Sequence, residues 1–265
     1  MRVYISADIE GVTGVTHWDE TDLGKAEYGP FREQMTAEVT AACEGALEAG
    51  ATEIWVKDAH DSARNLLAPK LPKEVKLIRG WSGHPFLMMQ ELNNSFQAAV
   101  LIGYHSRAGV GTSPLAHTMT GMLTRVSIND QPASEFLIST YAALSVGVPV
   151  VFVSGDKGLC EEVAAFNSHI GTVAVKEGIG NSTLSLHPQV AVAKIREETA
   201  KALKGDLALC KVPLPGHFST EIQYRRAYDA YRNGFFPGAV QKDETTVRFE
   251  SDSYDEVMRF MLFTS

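Results

Sequence analysis

Asp8 and Glu10 stand two positions apart in the opening segment MRVYISADIEG. Alternate residues of an extended chain project to the same side, so both carboxylates face together where the first apolar run ends. Carboxylates that close repel each other unless a cation or a shared proton lies between them. Two more segments place imidazoles in equivalent positions. His60 follows the run Ile54-Trp55-Val56 in KDAHD, and His105 follows Ala98 to Ile102 in GYHS. In open α/β sheets ligands bind outside the carboxyl ends of the strands. Three strand exits therefore bring Asp and Glu, His, and His towards one place, a donor set suited to zinc or manganese.

His117, in LAHT, comes after the glycine-containing loop Arg107 to Pro114. The Gly109-x-Gly111 pair in that loop lacks the later glycine and the Lys-Ser/Thr of a phosphate loop. His117 reads either as a further ligand or as an acid–base group beside bound metal. Glu135 follows Ser134 at a helix start, where an acidic side chain also favours the helix dipole. His17, His84, His169, His187 and His217 have no such context and read as surface or structural residues.

The elements that must position these groups alternate. Val3 to Ala7 reads as a strand, Phe31 to Ala49 as a helix ending at Gly50, and Glu53 to Lys57 as the next strand. A short helix through Asn65-Leu66-Leu67 follows. Further strands are expected at Val75 to Ile78, Ala98 to Gly103, Leu123 to Ile128, Val150 to Val153 and Thr172 to Val175, with helices from about Glu135 and near Gly158 to Asn167. This predicts an α/β fold with a mostly parallel sheet and flanking helices. After about residue 186 the pattern changes to a polar helix, strands at Ser219 to Tyr224 and Thr246 to Glu250, and a closing helix. The expected organisation is a catalytic α/β domain over 1–186 and a smaller α+β domain over 187–265.

Composition narrows the function classes. The net charge is −8 with no block of Lys or Arg, which argues against nucleic acid as the main partner. Three scattered cysteines without a CxxC pair indicate neither a disulfide framework nor a thiolate zinc site, and fit a cytoplasmic protein. Phe136 to Val153 is uncharged and long enough to span a membrane. Gly147-Val148-Pro149 breaks it into helix, turn and strand, so no span is expected.

Taken in order, SADIEGVTG, KDAHDS, GYHSRAG, AHTM, INDQPASE and AVKEGIGNST resemble the blocks of the zinc-dependent D-aminopeptidase family of the DppA type. The resemblance covers nearly the whole chain and weakens after about residue 190. It implies that Asp8, Glu10, His60, His105 and Glu135 hold two zinc ions and that His117 is catalytic. Asp8 would be shared, with Glu10 and His105 on one ion and His60 and Glu135 on the other. It also implies short peptides beginning with a small D-residue as substrates, and a high-order homo-oligomer such as a decamer. Two-metal sites of this kind polarise a carbonyl and activate water, so His117 is preferred as an acid–base group over a nucleophile. Lys176 is a candidate for docking a substrate carboxylate, or a surface lysine. Asp58 and Asp130 are candidates for accepting the ligand histidines' N–H groups, or turn formers. Two rival functions use similar donors: a dinuclear phosphoesterase, which calls for basic residues near the metals, and a non-catalytic peptide-binding protein of a dipeptide transporter, which has no need of His117.

Overall fold

The computed structural model describes all 265 residues. Strand β1 (Arg2–Ala7) is buried at every position after the first. Such an unbroken run marks a central strand covered on both faces. It pairs in parallel with β2 (Glu53–Asp58) on one side and with β4 (Ala98–Tyr104) on the other. Outward from β2 lies β3 (Val75–Ile78), and outward from β4 lie β7 (Val150–Asp156) and β8 (Gly171–Ile179), all parallel. A short antiparallel strand, β9 (Ser182–Ser185), ends the sheet in the order β3-β2-β1-β4-β7-β8-β9. Helices α1 (Tyr28–Glu48) and α4 (Pro188–Lys204) pack on each other and against this sheet, and α3 (Lys157–Phe166) covers β7 and β8.

A second sheet is wholly antiparallel. Its order is β11 (Ala239–Gln241), β12 (Thr246–Ser251), β10 (Phe218–Tyr224), β5 (Leu123–Ile128) and β6 (Gln131–Pro132). Along β10 burial alternates residue by residue, as expected for a sheet with one face on the core. Helix α2 (Glu135–Ser145) packs against β4 and β7 and also against α6 (Tyr254–Thr264), which joins the two layers. Helix α5 (Ala227–Asn233) lies on the second sheet. No helix is long and apolar enough to cross a membrane. Phe136 to Val153 is divided at Gly147, where φ is +80°.

Three expectations change. Leu123–Ile128 does not continue the parallel alternation but pairs with β10 and β6. Asn129 and Asp130, with φ of 51° and 64°, form the tight turn that sends the chain straight back as a hairpin. The change of sheet consequently does not fall at residue 186: β5 and β6 join the second sheet, while α4 packs on α1 of the first. No helix forms over 65–67, because the Asp58 carboxylate takes the backbone N–H of Asn65 (2.6 Å) and Leu66 (2.8 Å) and holds that stretch open.

Strand order reverses direction between β1 and β4, which opens a crevice at their carboxyl ends. Backbone touches backbone there. Asp8 N–H donates to Ile102 O and Gly11 N–H to Gly103 O, both at 2.8 Å. A Cβ on Gly11 would lie 1.7 Å from Tyr104 O, and one on Gly103 (φ +71°) 2.3 Å from Asp8 O. No side chain fits at either position, so the two strand ends are locked at the separation these glycines permit.

Candidate metal centre and its cavity

The exits of β1, β2 and β4 and the start of α2 bring Asp8, Glu10, His60, His105 and Glu135 together. Each is at most 8% exposed. His60 Nδ1 lies 3.3 Å from Asp8 Oδ1 and 3.0 Å from Glu10 Oε2, and His105 Nε2 lies 3.5 Å from Asp8 Oδ2 and 3.3 Å from Glu135 Oε2. Asp8 thus sits between two halves of the cluster. The shortest contacts pair His60 with Glu10 and His105 with Glu135, whereas the division implied by the resemblance sets Glu10 with His105 and His60 with Glu135. His105 is also near Glu10: one donor atom each from Asp8, Glu10 and His105 fall within 4.8 Å of one another, as do those of His105, His117 and Glu135.

The histidines are oriented from behind by main-chain oxygens. His60 Nε2 meets Thr21 O, His105 Nδ1 meets Ser106 O and His117 Nδ1 meets Leu115 O, each at 2.9 Å. A carbonyl only accepts, so that nitrogen carries the proton in each ring and the other nitrogen is turned to the carboxylates. Metal-ligating histidines are typically oriented in this way. Asp58 and Asp130 do not serve these histidines. Asp58 shapes the 60–66 loop through its bonds to Asn65 and Leu66, and Asp130 lies in the β5–β6 turn. The buried Asp156, which caps α3, instead accepts the Ser106 N–H (2.7 Å) and so holds the residue whose carbonyl orients His105.

Electrostatics show how strongly the cluster demands positive charge. Burial raises the Asp8 carboxyl well above its ordinary pKa, and neighbouring Glu10 adds to this. Burial opposes charge on His60 and His105 as well, yet their carboxylate neighbours outweigh it. His60 is raised well above its usual value, chiefly by Glu10 and Asp8, and His105 to about 10, chiefly by Glu135 and Asp8. Burial also pushes Glu10 upward, but His60 prevails and holds it well below the usual range. Within the cluster itself, the positive charge the chain can offer is a proton on imidazole. Glu10 Oε2 and His105 Nε2, both sealed from solvent, have no hydrogen-bond partner despite their close neighbours. Donor atoms that converge without hydrogen-bond geometry fit a shared metal ion.

The cluster forms one end of a cavity of about 680 Å³. His117 lines it, stacked on His105 with ring centres 4.2 Å apart and Nε2 3.7 Å from Glu135 Oε1. Trp18, Trp81, Met88 and Met119 supply the apolar walls, while Asp19, Asp22, Asp61 and Lys25 carry charge. A larger groove of about 1030 Å³ between α1 and α4 contains none of the converging donors. Lys176 does not reach the cavity. Its buried ammonium donates to Glu10 O and Val15 O and so braces the loop that carries Glu10.

A family model described as D-aminopeptidase, peptidase M55, matches residues 1–263. The chain belongs to this family. A D-aminopeptidase of Bacillus subtilis (strain 168) is 31% identical over 264 residues, covering 99% of this chain and 96% of the relative. A solved structure, the Zn-dependent D-aminopeptidase DppA from Bacillus subtilis, described as a self-compartmentalizing protease, matches with a TM-score of 0.93 at 31% identity, over 100% of this chain and 96% of that one. As a member of the family the chain is an aminopeptidase, and its fold is the one seen in that structure.

Sequence reasoning missed Trp18, Trp81, Met88 and Met119 as cavity walls. No periodicity or motif distinguishes a tryptophan that faces a cavity from one that packs in a core. Nor did it find the carbonyls of Thr21, Ser106 and Leu115, because main-chain acceptors leave no mark in side-chain identity.

Proposed function

We propose that this chain removes the N-terminal residue from short peptides, preferring a small D-residue such as D-Ala. It would use two zinc ions held by Asp8, Glu10 and His60 on one side and by Asp8, His105 and Glu135 on the other. The observation that carries this reading is the convergence of three buried carboxylates with imidazole nitrogens whose opposite N–H groups are tied to main-chain carbonyls. Zinc held there would supply Lewis-acid activation of the scissile carbonyl and of water. His117, with Nδ1–H given to Leu115 O, presents Nε2 to the cavity. That nitrogen takes the proton of the attacking water and returns it to the departing amine. The stacked His105 ring fixes the plane in which it does so.

The charged rim supports an amine-bearing substrate. Asp19, Asp22 and Asp61 oppose a single Lys25, itself 3.2 Å from Asp19. Such a field attracts ammonium and repels a phosphate monoester, which weighs against the phosphoesterase alternative. The D-preference rests on the relatives. The test is a panel of D-Ala and L-Ala dipeptides, free and N-acetylated, offered to zinc-loaded protein. Free D-Ala peptides are expected to react best, and acetylation to abolish cleavage. Equal rates on the two hands would remove the stereochemical claim, and unimpaired cleavage of acetylated peptide the aminopeptidase claim.

We also read the chain as a homo-oligomer, following the solved relative's description as self-compartmentalizing. Tyr228, Tyr231, Phe235 and Phe263, each more than 60% exposed, give the α5–α6 region apolar surface of the kind that copies cover in assemblies. A native mass well above one chain is expected by sedimentation; a mass equal to one chain refutes the reading.

A further inference from the structure

Trp18 sits on a single helical turn, Trp18–Glu20, that is pinned from several sides. The Glu20 carboxylate takes the N–H of Thr16 (2.5 Å) and of His17 (2.9 Å), and His17 Nδ1 takes the Asp19 N–H (3.2 Å). The Thr16 hydroxyl bonds that of Thr183 at 2.6 Å, which ties the turn to β9. The residue after the turn, Thr21, supplies the carbonyl that orients His60. One short segment therefore touches both ends of the donor cluster, because the Trp18 indole meets His117 edge-on with ring centres 5.2 Å apart. Packing alone does not explain this indole. It remains 45% exposed and lines the cavity, although indole is among the side chains that gain most from being covered. Met119, two residues beyond His117, lines the same cavity while its N–H donates to Glu135 Oε1 at 2.7 Å. Asp19, paired with Lys25 at 3.2 Å, and the further carboxylates of Asp22 and Asp61 leave a net negative charge around the Trp18 segment.

We propose that Trp18 and Met119 form the subsite for the second residue of the peptide, selecting substrates whose second side chain is apolar and disfavouring an acidic one. This rests on the aminopeptidase reading, in which His117 delivers a proton to the departing amine. The nitrogen that receives that proton belongs to the second residue, so the side chain next to it lies against whatever flanks His117. A flat indole and a flexible thioether suit aliphatic and aromatic side chains. The net negative charge left by Asp22 and Asp61 once Lys25 is paired with Asp19 repels an acidic one.

The test uses zinc-loaded wild type, Trp18→Ala and Trp18→Phe with the amidated dipeptides D-Ala-X-NH2, where X is Leu, Phe, Ala or Asp. In the wild type Leu and Phe should exceed Ala roughly tenfold in kcat/KM, and Asp by on the order of 10²-fold. Trp18→Ala should bring the advantage of Leu over Ala to within about twofold, mainly through KM, and Trp18→Phe should retain most of it. Zinc content should be equal in all three proteins. An unchanged Leu-to-Ala ratio in Trp18→Ala overturns the proposal, as does a uniform loss across the panel that tracks zinc content. Wild-type cleavage with no dependence on X overturns it alone. A zinc-loaded wild type that cleaves no member of the panel overturns the aminopeptidase reading and this subsite with it.

Discussion

Asp8→Ala is expected to lose both zinc ions and with them at least the roughly 10²–10³-fold in turnover that removal of one oxyanion-stabilising group costs. Its two carboxylate oxygens are divided between the halves of the cluster, with Oδ1 towards His60 and Oδ2 towards His105. The metal-free stability should move the other way. Burial and Glu10 raise the Asp8 pKa, so the carboxylate is a strained guest when no cation is present. Removing it should make metal-free Asp8→Ala more stable than metal-free wild type, while abolishing the further stabilisation that zinc gives the wild type. Metal analysis with thermal melts, with and without chelator, reads both effects. Full zinc occupancy in Asp8→Ala would refute the dinuclear assignment.

His117→Ala is expected to keep its zinc and fold and to lose on the order of 10²-fold or more in kcat, the scale of acid–base removal. KM should change little, since the donor cluster and cavity walls remain. Nε2 is 3.7 Å from Glu135 and belongs to a compact donor group with His105, so a ligand role is the competing reading. The two separate cleanly. Zinc loss in proportion to activity would make His117 a ligand, whereas intact zinc with collapsed kcat keeps it as the proton carrier.

Much of this arrangement is legible in the sequence, for identifiable reasons. Strand exits announce themselves as an apolar run followed by polar residues, and Asp8, Glu10, His60 and His105 all occupy such exits. Glu135 was ambiguous, because the first turn of a helix accepts an acidic residue for the dipole alone. Its burial at 3% exposure and its contact with His105 give it a place in the donor cluster that spacing does not carry. Lys176 follows a similar logic in reverse. A lysine after an apolar run reads as surface or site, and only the fold shows it buried under the Glu10 loop. The second sheet was hidden because β5 and β10 are about ninety residues apart and nothing local records their pairing. Short pieces such as α5, β9 and β11 offer too few residues for a periodic signal.

The glycine contacts between the ends of β1 and β4 bear on how such an enzyme can diversify. Gly11 and Gly103 leave no room for a Cβ, so nearly every mutation there disrupts the spacing of the converging donors before it can alter selectivity. The turn at Trp18 has the opposite character: its indole is half exposed, and its anchors are the side chains of His17 and Glu20 rather than the indole itself. Residue 18 can therefore be exchanged while the reacting groups stay in place. Variation in diet among relatives built on this scaffold should accumulate on that turn, with the chemistry inherited unchanged.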